Sequence, residues 1–123
     1  MKGDFSRSTF DPRKHYSGVR MQQGRVQLDA DWNENLDILL RRIETETIDV
    51  IGKCGVPIHD AAFGVVTDIN DISSEDEKTW LTEQGFDTLE SGDFYLTKGR
   101  AYVDGIQVEN DNTLPFSQQP FVL

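Results

Sequence analysis

The segment DADWNENLDILLRRIETETIDVIGKCG, residues 29–55, decides the fold because it predicts one long amphipathic helix. Plotted at the helical period of 3.6 residues, its large apolar side chains fall on one side. They are Trp32, Leu36, Leu39, Leu40, Ile43, Val50 and Ile51. The pattern corresponds to about five or six turns.

The two ends of this helix carry their own signals. Asp31 is expected to be the N-cap, with Glu34 three residues later at a capping-box spacing. Residues 52–55 are expected to end the helix, because they contain two glycines and Pro57 follows. Ile38 and Ile48 lie outside the apolar stripe, so they would bury either against a second element of the same domain or against a partner subunit.

Residues 1–28 form a basic extended arm, whereas residues 29–123 form an acidic domain. The arm holds six cations against two carboxylates, a net charge of +4, and the rest of the chain carries −14. Its cations are Lys2, Arg7, Arg13, Lys14, Arg20 and Arg25. Single aromatic residues at Phe5, Phe10 and Tyr16 could anchor in another surface. Two hypotheses stay open: the arm packs across its own domain with its cations paired to the acidic body, or it contacts another molecule.

The middle of the chain predicts a short strand and a short acidic helix. Residues 61–66, AAFGVV, read as the strand. Ser74 with Glu77 makes a capping box ahead of a helix that carries Trp80 and Leu81, and Gly85 ends it.

The C-terminal third predicts a small antiparallel β-meander of residues 94–97, 100–103 and 106–109. Lys98-Gly99 and Asp104-Gly105 are its two tight turns, and the second pairs Val103 with Ile106. One face then carries Phe94, Leu96, Ala101, Val103, Ile106 and Val108, and the other Tyr95, Thr97, Arg100, Tyr102 and Gln107. This second face is either solvated or meets a partner. The fold class is therefore α+β, with residues 29–123 as one small docking domain.

Length and charge narrow the function classes. A chain of 123 residues with 37% hydrophobic residues is typical of one small domain. Its net charge of −10 repels nucleic acid, so we expect no nucleic-acid partner. The single cysteine, Cys54, forms no internal disulfide, and the sequence has no signal peptide and no apolar stretch of membrane-spanning length. We expect synthesis in a reducing cytoplasm and no direct membrane insertion.

The sequence contains no recognisable catalytic or metal-binding motif. Zinc-ligand spacings and a glycine-rich phosphate loop are missing, and the acidic run at residues 68–79 lacks the glycine and glutamate of a calcium loop. We therefore expect no cofactor, no metal and no enzymatic activity. A small hydrolase would need His15 or His59 beside a nucleophile such as Cys54.

Several segments resemble the N-terminal domain of an uncharacterised family of phage-tail-like proteins. They are MKGDFSR at residues 1–7, FDP at 10–12, KHY at 14–16 and, above all, MQQGRVQLDADWNE at 21–34. The segment YVDGI at residues 102–106 with Glu109 is similar to the hairpin of that family. Residues 55–93 match it less closely.

This resemblance implies a structural subunit of a contractile injection system, made in the bacterial cytoplasm and assembled into a phage-tail-like particle of a kind that can be released extracellularly. The domain would dock onto the baseplate region as a cage or fibre-attachment piece, in several copies in a symmetric ring. Its partners would be baseplate, spike, sheath or tube proteins. A cap or tail-terminator adaptor of the same particle and a stand-alone binding module are the alternatives. Family members are usually longer, so two alternatives stay open: this chain is a whole gene product, or it is the N-terminal part of a longer protein.

The candidate interface residues combine the arm, the long helix and the outer face of the meander. They are Phe5, Arg7, Phe10, Arg13, Lys14, Tyr16, Arg20, Arg25, Trp32, Ile38, Ile48, Tyr95, Arg100 and Tyr102.

Overall fold

The computed structural model describes residues 3–120 and shows the predicted α+β class. Two helices combine with two three-stranded antiparallel sheets, ordered β1-β4-β5 and β2-β3-β6. The helices are α1 (Asp29–Ile51) and α2 (Glu75–Glu83). The strands are β1 (Cys54–Gly55), β2 (Val65–Val66), β3 (Tyr95–Leu96), β4 (Gly99–Val103), β5 (Ile106–Asn110) and β6 (Leu114–Pro115). Lys2 of the predicted arm and residues 121–123 of the predicted domain lie outside the described residues.

Helix α1 ends as predicted but begins earlier than predicted. The N-cap is Leu28, which supplies no side-chain hydrogen bond, so the capping box at Asp31 is wrong. The Glu34 carboxylate instead accepts a hydrogen bond from Thr9 Oγ1 at 2.7 Å, which ties the arm to the helix. At the other end Gly52 has a φ of 98° and donates its N–H to the Ile48 carbonyl at 2.8 Å.

Helix α2 confirms both of its predicted ends. The Ser74 hydroxyl accepts from the Glu77 N–H at 3.4 Å. Gly85 lies in the left-handed region, and the Phe86 N–H reaches back to the Leu81 carbonyl at 2.8 Å, the pattern of a Schellman motif.

The hairpin β4–β5 has the predicted turn and register. Val103 pairs with Ile106 across the two-residue turn. Asp104 and Gly105 have φ values of 52° and 81°, as a type I′ turn requires. The Asp104 N–H also donates to the Lys53 carbonyl at 2.7 Å, so the turn is attached to the segment that follows α1.

The predicted third strand of the meander belongs to a different sheet. Strand β3 pairs with β2 and β6, and not with β4. The reason lies at Gly99, whose φ is 135° and whose missing Cβ would stand 1.9 Å from the Asp60 carbonyl oxygen. The chain around Asp60 therefore occupies the space that a Lys98-Gly99 hairpin would need.

The predicted strand at residues 61–66 is mostly irregular. Only Val65 and Val66 join a sheet, and Ala61 makes an isolated parallel bridge to Arg100. Phe63 has a φ of 63°, which interrupts any extended run. This segment links the two sheets, since the Ala62 N–H donates to the Arg100 carbonyl and the Phe63 N–H to the Thr97 carbonyl.

The largest buried cluster lies between α2 and the β2-β3-β6 sheet. Ile72, Leu81 and Tyr95 form its centre. The half-buried residues packed around it are Val66, Ile69, Trp80, Phe86 and Leu89. None of these residues belongs to α1, so the longest helix stands outside this cluster.

Candidate docking surface

The apolar side of α1 faces solvent. We call Trp32, Leu36, Leu39, Leu40, Ile43, Val50 and Ile51 the α1 stripe; every one of them is exposed. Ile43 is 59% exposed and Val50 78%. Ordinary amphipathic helices turn such a stripe toward their own core, and here the stripe is left for another surface.

The arm packs along the N-terminal half of α1, beside Ile38 on the side opposite the stripe. Ile38, which the sequence placed off the stripe, is only 8% exposed and lines a groove with Phe10 and Tyr16. Three hydrogen-bonded contacts attach the arm to the helix. They are Ser6 with Asp29, Thr9 with Glu34, and the Val19 N–H with Asn35 Oδ1 at 3.1 Å. Ile38 therefore packs inside the chain, against the arm. Its prediction as an interface residue is wrong.

The tip of the β4–β5 hairpin covers a third side of α1. A Cβ on Gly105 would stand 2.5 Å from the carbonyl oxygen of Glu44, in the middle of the helix. Ile48, half-buried, lies one turn further along. The arm and the hairpin tip therefore contact α1 away from the stripe, and the stripe itself stays exposed, as do the polar residues Arg41, Arg42 and Asp49.

Two grooves run between the arm and α1. The larger, about 590 Å³, lies along Ile38 and Leu39 and is bordered by Arg41 and Arg42. The smaller, about 450 Å³, is lined by Phe5 together with Leu36 and Leu40 of the stripe. Phe5 and Tyr16 are themselves exposed, so the arm presents aromatic side chains next to the stripe.

Four of the arm's cations have no acidic partner within residues 3–120. Arg13 pairs with Asp11 inside the arm at 3.1 Å. Arg7, Lys14, Arg20 and Arg25 are exposed and form no ion pair within residues 3–120. Packing of the arm on its own domain is thus observed, but the pairing of its cations with the acidic body is not.

The structure separates the candidates of the predicted meander face. Tyr95 is fully buried, and its hydroxyl donates to the Phe86 carbonyl at 2.6 Å, so its place among the interface residues is wrong. Arg100 is exposed on β4 and Tyr102 is half-buried beside it. Arg100 and Tyr102 do not share a strand pair with Tyr95, because β3 and β4 belong to different sheets.

The residues that a hydrolase would need lie at the surface of the described part of the chain. His15, His59 and Cys54 are all exposed. Across residues 3–120 no group of three His, Cys, Asp or Glu side chains is arranged to hold a metal ion. In the same part of the chain no helix is both long enough and apolar enough to cross a membrane.

Of the seven residues in the α1 stripe, only Trp32 is among the predicted interface residues. The signal that would have found the others is the absence of a second long helix in the sequence, since a six-turn stripe needs a partner of similar length. The remaining apolar segments of the sequence are shorter than the stripe and cannot cover it.

Asp29 fixes the start of the arm and should make that attachment sensitive to acid. Hydrogen bonds from the Ser6 hydroxyl and N–H hold the pKa of Asp29 below its usual range. Because the pKa is lowered, the attachment is stabilised at pH values above the ordinary pKa of Asp. This contribution is lost as the pH falls through the lowered pKa. We expect the Ser6 amide resonance to shift only as the pH falls below the usual titration range of Asp, about pH 4.

The matched variant for this prediction is Asp29→Asn, which keeps an oxygen acceptor without the titrating charge. Its Ser6 resonance should not move with this transition. A wild-type Ser6 resonance that stays constant to pH 2, or an equal shift in both proteins, would contradict the attachment at Asp29.

Comparison with known proteins places the chain in one family. The family described as "Family of unknown function (DUF6519)" matches residues 1–122. No match was found among curated proteins or solved structures. Because the match extends over nearly the whole chain, including the arm, α1 and both sheets, the protein belongs to the DUF6519 family.

Proposed function

We propose that this chain is a structural docking subunit of a phage-tail-like contractile injection system. It docks onto the baseplate region, as a cage or fibre-attachment piece, through its arm and its α+β domain. The observation that carries the docking role is the exposed α1 stripe.

The size of the stripe supports a binding role. Its seven side chains expose between 43% and 78% of their surface, which amounts to roughly 700 Å² on typical side-chain areas. The largest apolar patch of an ordinary monomer is about 300–600 Å², and larger patches mark interaction sites. A free chain would gain stability by covering this stripe.

The arm supplies a second contact of opposite character. Its exposed cations lie beside a domain that is strongly acidic, so one copy could meet an acidic surface on a neighbouring subunit. Many weak contacts of this kind gain strength when copies are repeated in a ring. Baseplate, spike, sheath and tube proteins are the partners that we propose.

The assignment to a contractile particle depends on the sequence resemblance at residues 21–34. This segment runs from the end of the arm into the first turns of α1. It includes Asp29 and Glu34, which hold the arm through Ser6 and Thr9. The most specific part of the resemblance therefore coincides with the junction that sets the arm beside the stripe.

The test is incorporation into particles sedimented from a lysate of the native cells. Wild-type protein should enter the particle pellet, whereas Ile43→Glu should stay in the supernatant, because a carboxylate in the stripe would be buried without a partner. Incorporation should fall at least tenfold. The measurement is quantitative mass spectrometry of the pellet with baseplate proteins as the reference.

The matched control is Ile58→Glu, the same exchange at a residue that is 95% exposed and outside α1. It should enter particles at wild-type level. Wild-type protein that stays entirely in the supernatant would favour a stand-alone binding module. Co-sedimentation with cap or tail-terminator proteins instead of baseplate proteins would favour the adaptor role.

A further inference from the structure

The α1 stripe has the spacing of a coiled-coil seam. Trp32, Leu36, Leu39 and Ile43 follow one another at steps of four, three and four residues, and Val50 comes seven residues after Ile43. In a heptad frame Leu36, Ile43 and Val50 occupy a positions, and Trp32 and Leu39 occupy d positions. Glu46 is the single charged residue in the frame. Such a seam fits another helix better than a sheet or a loop.

No other element of the described chain can fill this seam. From Trp32 to Val50 it is about 27 Å long at 1.5 Å per residue. Helix α2 has nine residues and already buries Leu81 in the cluster with Tyr95. The longest strands, β4 and β5, have five residues each and pair with each other. Residues 3–120 therefore do not supply the occupant, which should be a helix of about α1's length.

The charge pattern of α1 favours one direction for a pair of identical helices. Residues 29–40 contain four carboxylates and no cation, whereas residues 41–51 contain both cations of the helix, Arg41 and Arg42, against three carboxylates. Two parallel copies would place the strongly acidic halves together. Two antiparallel copies would place each half of net charge −4 beside the half of net charge −1, which repels less, and their helix dipoles would also oppose.

We propose that α1 pairs with α1 of a second copy of this chain, antiparallel, through the α1 stripe. In the register centred on Arg41, Trp32 of one copy faces Val50 of the other and Leu39 faces Ile43. Trp32 then meets the smaller Val50, and Leu39 meets Ile43 of equal size, which a packed seam accommodates. With both stripes covered, the interface buries about 1,400 Å², within the range of stable interfaces of about 1,200–2,000 Å².

Glu46 limits the strength of this pair. In the same register it faces Leu36 of the other copy, and in the single chain its carboxylate lies 3.5 Å from Arg42 Nη2, with both side chains exposed. An exposed pair of this kind contributes little. Replacing Glu46 by leucine removes a charge from the seam and completes the heptads.

The test is sedimentation equilibrium of the purified full chain over a concentration series. Wild type should reach twice the 14.0 kDa chain mass, Leu39→Glu should stay at 14.0 kDa, and Glu46→Leu should dimerise at least tenfold more tightly. Ile58→Glu, outside α1, should match wild type. The proposal is overturned if wild type and Glu46→Leu both remain monomeric. A trimer, or loss of the dimer in Ile58→Glu, would also overturn it.

The direction is tested by disulfide formation in a Cys54→Ser background. Leu36→Cys mixed with Glu46→Cys should give the mixed disulfide as the main product, because the two positions face each other only in the antiparallel pair. Disulfides formed mainly within each single variant would overturn the antiparallel arrangement.

This inference deepens the proposed docking role, because it names the occupant of the same stripe. The two can fail separately. Monomeric purified protein whose incorporation into particles still depends on Ile43 would reject the pair and keep the docking subunit. A stable dimer that is absent from particles would keep the pair and reject the particle.

Discussion

Replacing Gly105 by valine should lower the free energy of unfolding by about 3 kcal/mol or more. A β-branched residue at a φ of 81° is strained by about 1–2 kcal/mol. Its Cβ would also stand 2.5 Å from the Glu44 carbonyl oxygen and 3.0 Å from the Glu44 Cα. These are backbone atoms of α1, which cannot rotate away, so overpacking adds about 1–3 kcal/mol.

The matched control for Gly105 is Gly92→Val. Gly92 has a φ of 84°, but nothing lies within 4 Å of its missing Cβ. This variant should show the strain alone, about 1–2 kcal/mol. Urea denaturation followed by circular dichroism measures both. Equal losses in the two variants would mean that the hairpin tip does not pack against α1.

Local signals in the sequence were sufficient wherever the structure is decided by neighbouring residues. The Asp104-Gly105 turn fixes the register of β4 and β5 because positive φ is needed at two adjacent positions. Gly52 and Gly85 end the two helices for a similar reason. Each of these features depends on the conformation of a few consecutive residues.

The start of α1 escaped prediction because its acidic residues are used by a distant segment. Asp29 and Glu34 accept hydrogen bonds from Ser6 and Thr9, more than twenty residues earlier in the chain. A capping pattern describes only what a carboxylate could do for its own helix. The arm competes for the same oxygens, and no local pattern reveals that competition.

The break in the meander has the same origin. The turn at Lys98-Gly99 looked like the turn at Asp104-Gly105, but Asp60 approaches Gly99 from another part of the chain. The Lys98 N–H donates to Thr113 Oγ1 at 3.0 Å, which commits it to a second distant segment. Two long-range contacts thus send β3 and β4 into different sheets.

The docking surface was only half predictable. Helical periodicity gives the members of the α1 stripe whether the stripe is covered by its own domain or by another molecule. What decides between these is the location of the core, which lies at α2 and β3. Ile38 was assigned to the wrong surface because the arm, without periodicity of its own, packs on it.

Replacing Tyr95 by alanine should destabilise the protein far more than replacing Tyr102. The two tyrosines share a face in the predicted meander, but Tyr95 is 0% exposed and Tyr102 is half-buried on β4. Removing the Tyr95 ring leaves a cavity beside Leu81 and Ile72, which costs about 3–5 kcal/mol. Tyr102→Ala should cost about 1 kcal/mol.

A third variant, Tyr95→Phe, separates packing from hydrogen bonding at the same residue. It keeps the ring and removes only the bond from the hydroxyl to the Phe86 carbonyl, 2.6 Å in length. We expect a loss of about 1–2 kcal/mol, because the buried carbonyl loses its donor. Urea midpoints ordered wild type, Tyr102→Ala and Tyr95→Phe together, then Tyr95→Ala, are the expected result. Equal midpoints for the two alanine variants would contradict the burial of Tyr95 and the placement of β3 and β4 in different sheets.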